Sequence, residues 1–471
     1  MGDDVKIGKR AFLFSVAILL FLMVFAGILT RIIPQGEYTR EVVDGTTRIV
    51  DGSFQFVNRN SLPVYRWFTA PFEVFTSSDS ALIIVIVIFL LFIGGSFSLL
   101  MKSGIVPRIM DLLISKYLKV KYKLLAIISL VFMLFGSIFG IFEEMIVLVP
   151  FCLVLSRKMG WDSLVGLGMS LLSLALGFSS AIFNPFTLGV AQKLSGLKLY
   201  SGTSLRILIF ISVYIVQMTF LYRYAKKVEK NPELSSVYEE DLRQNLSEET
   251  LVYCDNVDRG IKIFIAFLSI MIITMILGFF IPSISQIVFP LFALLFLIGA
   301  IASTLSSGYK GSIFKVLING MLSVAPAILL IMMATSIKHI IVGGGVMDTV
   351  LFYSSGVIKQ LSPTLALVFL FALIMLLNFF IGSGSAKAFL LLPIIIPLVD
   401  MVGISRQLAV QAFLFGDGFS NVIYPTNAAL MVALGFSVVS YPKWFKWTIK
   451  IQLSLIAISV FWIFIGVVIG Y

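Results

Sequence analysis

Apolar residues run along this chain in long blocks, separated by short polar or basic segments. Blocks able to cross about 30 Å of hydrocarbon occur near 12–33, 80–101, 162–197, 204–224, 260–281, 285–305, 316–340, 405–437 and 446–470. Nine spans are predicted from them. Two further apolar regions, 121–158 and 362–402, are read either as two spans each or as one re-entrant hairpin each, and the parity of the chain is the same both ways. The middle of the first, Gly136 to Glu144, has two glycines and no polar loop, as expected of a tip buried in protein. The middle of the second, Asn378 to Lys387, is rich in Gly and Ser. Irregular backbone at membrane depth is tolerated only where protein or a water-filled cavity surrounds it.

Two blocks are interrupted, and the interruptions resemble each other. Gly177-Phe178-Ser179-Ser180-Ala181-Ile182-Phe183 precedes Asn184-Pro185-Phe186, and Gly418-Phe419-Ser420-Asn421-Val422-Ile423-Tyr424 precedes Pro425-Thr426-Asn427. Paired Gly/Pro-interrupted segments in two halves of a chain point to the binding site of a secondary transporter. Proline suits the first turn of a helix, so a second half-helix starts at each place. Its free N–H groups would face anionic groups, while carbonyls freed by unwinding can hold a cation. Chance likeness of two apolar stretches, or a simple proline kink, is the bland alternative.

Composition agrees with the pattern. The 471 residues are 59% hydrophobic and only 13% charged, with mean hydropathy +1.05, against about 25% charged residues in soluble domains. An all-α polytopic protein of a bacterial-type inner membrane is expected. The run at 12–33 is too long for a signal-peptide core and reads as a retained first span. Cys152 lies in an apolar run and Cys254 in a polar loop, so no disulfide framework is implied.

The net charge of +11 sets orientation rather than marking a nucleic-acid partner. With the N-terminus cytoplasmic, most of the 35 Lys and Arg residues, including Lys102 to Lys123 and Arg223 to Lys262, fall on the cytoplasmic side. The C-terminus is then external. Lys119, Lys121 and Lys123 precede 121–158 and Arg157-Lys158 end it, so this hairpin is rooted in the cytoplasm; 362–402 starts and ends outside.

The organisation is two inverted copies of span, span, amphipathic stretch (104–119 and 346–360), hairpin, broken span, span. Residues 1–225 hold the first repeat, with hairpin 121–158 and broken span 162–197. Residues 226–258 form a charged, mobile cytoplasmic linker. Residues 259–471 hold a connecting span, which supplies the inversion, and the second repeat, with hairpin 362–402 and broken span 405–437. The external loop 34–79 is expected to be partly ordered.

A charge near the bilayer centre costs roughly 2.5–3.5 kcal/mol on insertion scales, so intramembrane ionisable residues are candidates for transport chemistry. Glu143-Glu144 is the costliest pair. It serves ion or substrate binding, or else the tip is wet, or one acid caps the arm starting at Met145. Asp417, between Gly416 and Gly418, is the third acid, with a local turn role as its alternative. Lys387 is the one basic residue at membrane depth; it either pairs with a carboxylate or binds a substrate carboxylate. His339 and Lys338, near a span end, read as interfacial. The substrate and ion site is expected to draw on Glu143, Glu144, Ser179, Asn184, Pro185, Thr187, Asn378, Ser383, Ser385, Lys387, Asp417, Asn421, Thr426 and Asn427. A coupling Na⁺, near Asn184 and Asn421, or H⁺ is expected, with no organic cofactor.

A membrane-embedded enzyme is the distant alternative. A metal site would want His or Cys clusters, and the chain has one His and two distant Cys. Adjacent Glu side chains on a helix point about 100° apart. No phosphate-binding Gly-Lys-Ser/Thr loop is present, so this chain does not drive transport with ATP.

At these residues the chain resembles the YfcC family, part of the C4-dicarboxylate uptake C-type group within the ion transporter superfamily. The resemblance runs over nearly the whole length. It is carried by Pro34-x-Gly36-x-Tyr38, Glu143-Glu144, Asn184-Pro185-Phe186-Thr187, Ser201-Gly202 with Arg206, Ser383-Gly384-Ser385, Arg406-Gln407, Gly416-Asp417-Gly418 with Pro425-Thr426, and Trp444. Lys387 and Asn427 depart from the family's more usual Gln and Ser. The resemblance implies a homodimer with scaffold and transport domains, two hairpins pointing at a central site, and elevator-like movement. It implies a secondary transporter of an amino acid, labelled basic amino acid or arginine–ornithine antiporter, with a C4-dicarboxylate or short-chain carboxylate carrier as the other reading.

Overall fold

The computed structural model describes residues 9–43, 46–50, 52–57, 62–77, 80–247, 254–281 and 288–471. The first half runs α1 (Lys9–Ile32), α2 (Tyr65–Glu73), α3 (Ser80–Lys102), α4 (Ile105–Tyr117), α5 (Lys121–Leu134), α6 (Val149–Lys158), α7 (Ser163–Leu167), α8 (Ser173–Ser180), α9 (Val190–Leu194) and α10 (Thr203–Lys230). Next come α11 (Tyr238–Ser247) and α12 (Val257–Phe280). The second half runs α13 (Val288–Ser306), α14 (Ile313–Gly343), α15 (Met347–Ile358), α16 (Pro363–Asn378), α17 (Gly384–Met401), α18 (Arg406–Phe419), α19 (Ala428–Gly435) and α20 (Tyr441–Val468). Both halves thus follow one order: two long helices, a short helix (α4, α15), a hairpin (α5–α6, α16–α17), a helix in pieces and a closing helix.

By length and composition, nine helices among the described residues could cross a membrane. They are not the nine blocks of the sequence reading. The stretch Ile105–Phe139 and the helix Gly384–Met401 meet the length test, whereas Pro290–Ser306 is shorter and the apolar block 405–437 is divided by a break. The start of the block expected at 285–305 lies outside the described residues.

The helices sort into two groups by what they pack against. In one, α3 packs along α14 and α13, α1 along α14, and α12 along α13. Small residues allow the tightest crossing: a Cβ on Gly94 would come within 2.9 Å of Gly320 O, so the backbones of α3 and α14 nearly touch. In the other group, α5 packs on α8, α16 on α18, α8 on α18, and α20 on α18 and α10. Here Gly177 and Gly416 do the same work. A Cβ on Gly177 would meet Met133 O at 1.9 Å, and one on Gly416 would meet Phe371 O at 2.7 Å. Each hairpin arm therefore lies directly against a broken helix.

The hairpins turn where glycine and short polar residues interrupt the apolar run. The first turns after a π-helical stretch, Phe135–Phe139, at left-handed Gly140 (φ 66°). Its two ends meet, because Lys121 Nζ donates to Met159 O (2.9 Å). The second turns between Asn378 and Ser383, whose hydroxyl caps α17.

Two connecting segments carry their own order. Four short strands form two antiparallel pairs, Gly36–Glu37 with Gln55–Phe56 and Arg40–Val43 with Thr46–Ile49. They dock on α15: Arg40 pairs with Asp348 (2.6 Å), and Phe54 stacks on Phe352 with ring centroids 4.1 Å apart. The linker corrects the sequence reading. Residues 226–247 are not a free loop; they finish α10 and form α11. Asp241 on α11 accepts from the Ser163 N–H (2.8 Å) and hydroxyl, Glu240 pairs with Lys443 of α20 (2.5 Å), and Arg157 donates to Gln244 (2.6 Å). Burial pushes the Asp241 carboxyl up to about 6 against the Ser163 hydrogen bonds. A segment with this much charge reads as solvated, yet Glu229, Glu240 and Asp241 are used in docking. Residues 248–253 of the linker lie outside the described residues.

Candidate functional site

The first broken helix runs from α7 through a π-helical stretch into α8 and stops at Ser180. Ala181 is left-handed (φ 32°), a conformation that costs a non-glycine residue roughly 1–2 kcal/mol. The tip region of the first hairpin takes up the freed donors: Ile182 N–H donates to Ser137 Oγ (3.0 Å) and Phe183 N–H to Ser137 O (3.1 Å). The chain becomes helical again at Asn184-Pro185. Asn184 Oδ1 accepts from the N–H groups of Phe186 (2.9 Å) and Thr187 (3.1 Å), and Pro185 occupies the first turn, where no donor is needed. Two polar atoms are left over. Asn184 Nδ2 and Thr187 Oγ1 are buried with no hydrogen-bond partner among the described residues. A buried group left unpaired costs about 1–3 kcal/mol, so this donor and hydroxyl are suited to a polar ligand.

The second break is filled by the protein itself. Lys387, in the first turn of α17, is 0% exposed, and its ammonium lies 2.6 Å from Asp417 Oδ1, itself 2% exposed. Lys387 Nζ also donates to Asn378 Oδ1. Asn378 Nδ2 shares its protons among Asp417 O (2.8 Å), Ser420 Oγ (2.7 Å) and Asn421 Oδ1 (2.9 Å). Asn427 Nδ2 donates to the same Asn421 oxygen (3.1 Å), and Asn427 Oδ1 caps α19 through the Leu430 N–H (3.0 Å). The carbonyls expected to hold a cation already accept hydrogen bonds: Val422 O from Trp444 Nε1 (2.6 Å) and Ile423 O from Tyr441 OH (2.8 Å). Trp444 and Tyr441 sit on α20, so this helix props the break.

The two breaks meet at Gly384, the first residue of α17. A Cβ there would lie 2.5 Å from Thr187 Cγ2 and 2.8 Å from Asp417 Oδ2. The second hairpin, the first break and the second broken helix thus share one point. The two repeated motifs also touch, since a Cβ on Gly418 would fall 2.4 Å from Ser179 Oγ.

Glu143 and Glu144 stand apart from that point. Glu143 lies just past the first hairpin's turn and lines a small cleft with Ile86 and Phe89 of α3 and Ala429 and Val432 of α19. The cleft lies between the two helix groups. Neither Glu143 nor Glu144 has a basic partner among the described residues. Ser383 and Ser385 face each other (3.5 Å) and do not reach the lysine, and Thr426 is half-buried in its break. His339 lies 3.5 Å from Glu73, whose carboxyl is held down at about 2, chiefly by the hydrogen bond from Arg66.

Several contacts were not read from the sequence. Ser137 holds the first break, and Ser420 joins the second. A polar latch closes one end of the site: Gln407 Nε2 donates to Ser201 Oγ (2.5 Å), Arg206 Nη2 to Gln407 Oε1 (3.0 Å), and Gln192 Nε2 to Ser201 O (3.0 Å). It ties the end of the first broken helix to the start of the second. Ser137 precedes Gly140 much as Asn378 precedes Gly382, and that likeness was the available signal.

The family model described as C4-dicarboxylate anaerobic carrier, DcuC, matches residues 13–468. The chain is 30% identical over 473 residues to the Escherichia coli K12 protein named "Putative basic amino acid antiporter YfcC", with 92% of each covered. It is 24% identical over 382 residues to an uncharacterized Haemophilus influenzae protein, covering 79% of this chain and 74% of that one. Among solved structures it is similar to the YdaH transporter of Alcanivorax borkumensis (15% identity, 98% and 99% covered, TM-score 0.42). It is also similar to MtrF of Neisseria gonorrhoeae, described within a class of antimetabolite efflux pumps (15% identity, 95% and 94% covered, TM-score 0.42). The chain is therefore a multi-pass membrane transport protein rather than an enzyme, and it belongs to the family of the C4-dicarboxylate anaerobic carrier DcuC.

Proposed function

We propose that this protein is a secondary active transporter of an amino acid, basic in character (arginine or ornithine), working by antiport or ion-coupled symport. One observation carries the sign of the substrate. The one lysine at the site is neutralised by Asp417, while Glu143 and Glu144 have no basic partner among the described residues. The unpaired charge that would attract a ligand is negative and lies in the cleft, apart from the point where the breaks meet. The name of the 30%-identical relative agrees with a basic amino acid.

The two helix groups support an elevator-type mechanism. The hairpins, the broken helices, α10 and α20 move as a transport domain against a scaffold of α1, α3 and α12–α14, with α4 and α15 as arms. The halves are inverted repeats in an inner membrane, the N-terminus is cytoplasmic and the C-terminus external, and the unit is a homodimer. The hairpins enter the membrane without crossing it, and each tip abuts a break. Asn184 and Thr187 supply the polar contacts of a bound amino acid. Glu143, in the cleft between the groups, is the carboxylate whose charge must be neutralised, by substrate, Na⁺ or H⁺, before the groups slide.

A second reading is favoured by the family's description. A C4-dicarboxylate could sit at the start of α17, where helix N–H groups and Thr187 would meet a carboxylate. Uptake into proteoliposomes of labelled arginine, ornithine, succinate and fumarate tests the choice. Arginine or ornithine accumulation, driven by counter-substrate or an ion gradient, supports the first reading; succinate or fumarate uptake alone supports the second.

A further inference from the structure

The ammonium of Lys387 occupies a place built for a cation. It is 0% exposed, lies 2.6 Å from Asp417 Oδ1 and donates to Asn378 Oδ1. Ser420 Oγ and Asn421 Oδ1 lie one hydrogen bond further along the same network. These are hard oxygen groups beside an interrupted helix, the setting in which a transporter holds Na⁺. Here the lysine reaches the setting from the first turn of α17, on the opposing hairpin. We infer that Lys387 is a tethered cation that fills the second-break ion site from within the protein. Transport therefore needs no Na⁺ at this break, and removing the ammonium exposes a Na⁺ site at Asn378 Oδ1 and Asp417 Oδ1.

The geometry favours this over a substrate role. A lysine held for an anionic substrate would keep its ammonium turned toward the ligand. This one is enclosed, with its carboxylate partner already in contact. The Asn378 amide fits the same purpose: its nitrogen is committed to three acceptors, which leaves its oxygen for the cation. The inference rests on the transporter reading, but its test does not need the substrate.

The test is the melting temperature of purified full-length protein in NaCl against KCl and choline chloride at equal ionic strength. With Lys387 in place, Glu143→Gln, which removes the cleft carboxylate as a second place for Na⁺, should melt at the same temperature in all three. Lys387→Ala should melt higher in NaCl than in choline chloride by about 2 °C or more, saturating with Na⁺. Lys387→Met, which keeps the bulk of the stem, should behave in the same way. Adding Asp417→Asn to either should abolish the Na⁺ response. Recovery of the lysine variants in NaCl only would also support the site, since Na⁺ would be replacing the missing charge. A Na⁺-specific shift in the wild type that persists in Glu143→Gln, and so does not come from the cleft carboxylate, would overturn the inference. So would variants that fold but ignore Na⁺, or that cannot be recovered even in NaCl. Failure of arginine uptake would sink the substrate reading and leave these outcomes unaffected.

Discussion

The two breaks start from nearly the same motif and end in different chemistry. At Ala181–Asn184 the backbone donors are answered by Ser137, but the Asn184 amide and the Thr187 hydroxyl are left buried and unpaired. At Ser420–Asn427 the space is filled by Lys387, Asp417 and three asparagines, and two freed carbonyls are taken by Trp444 and Tyr441. One break offers contacts to a ligand, and the other satisfies itself. Similar sequence at two unwound points therefore does not mean two equivalent sites. What decides is which residue the facing hairpin brings to each point.

Removing the anion of the second break should have the largest effect. Asp417→Asn leaves the Lys387 ammonium buried without its counter-charge, at a cost of about 3–5 kcal/mol. Unfolding of the solubilised protein should show that loss together with loss of transport. Lys387→Gln combined with Asp417→Asn should be more stable than Asp417→Asn alone, because no stranded charge remains. Equal stabilities would mean that the two side chains do not act as a pair.

Next comes the carboxylate pair in the cleft. Glu143→Gln and Glu144→Gln keep the size and remove the charge. At least one should abolish transport while expression and melting temperature stay near those of the wild type. Wild-type uptake by both single variants and the double variant would assign the pair a structural role.

A smaller but sharper test uses two glycines of the second hairpin. Gly384→Ala places a methyl against Thr187 and Asp417 and should push the hairpin off both breaks, at about 1–3 kcal/mol, with at least a tenfold loss of uptake. At Gly382 a Cβ meets nothing within 4 Å, so Gly382→Ala should transport like the wild type. Equal uptake by the two variants would mean that Gly384 is not where the breaks converge.

The smallest effect lies far from the breaks, where α11 docks through Asp241. Its carboxyl titrates near 6 in the folded protein rather than at 3.8, so the folded state prefers it protonated. The stabilisation is complete below 3.8 and is lost as pH rises through about 6. The melting temperature of the wild type minus that of Asp241→Asn should fall across that window and level off above it. A difference that grew with pH would mean that docking favours the carboxylate.

Much of this was legible in the chain. Apolar runs mark the long helices because lipid and packed protein both demand them, and Pro185, Pro425 and the flanking glycines mark the breaks because no other residues interrupt an apolar helix so sharply. Glu143, Asp417 and Lys387 stand out as charges in apolar surroundings. The pairing of Lys387 with Asp417 was one open option, since nothing local to either residue says which hairpin faces which break. The latch of Gln192, Ser201, Arg206 and Gln407 was illegible as a contact because its members come from different halves. The docking of 226–247 was missed because charge alone does not show whether a segment pairs with protein or with water.

The most direct test of the central claim, that the site lysine is spent on Asp417 and the substrate is cationic, is uptake of labelled arginine and succinate by the wild type and Lys387→Gln in NaCl. The wild type should take up arginine and not succinate, and the variant should keep arginine uptake within tenfold. If Lys387 bound a substrate carboxylate, losing a charge-assisted hydrogen bond of about 1.5–3 kcal/mol would weaken apparent affinity roughly ten- to a hundredfold. Strong wild-type succinate uptake that collapses in Lys387→Gln, with no arginine signal in either protein, would contradict the account.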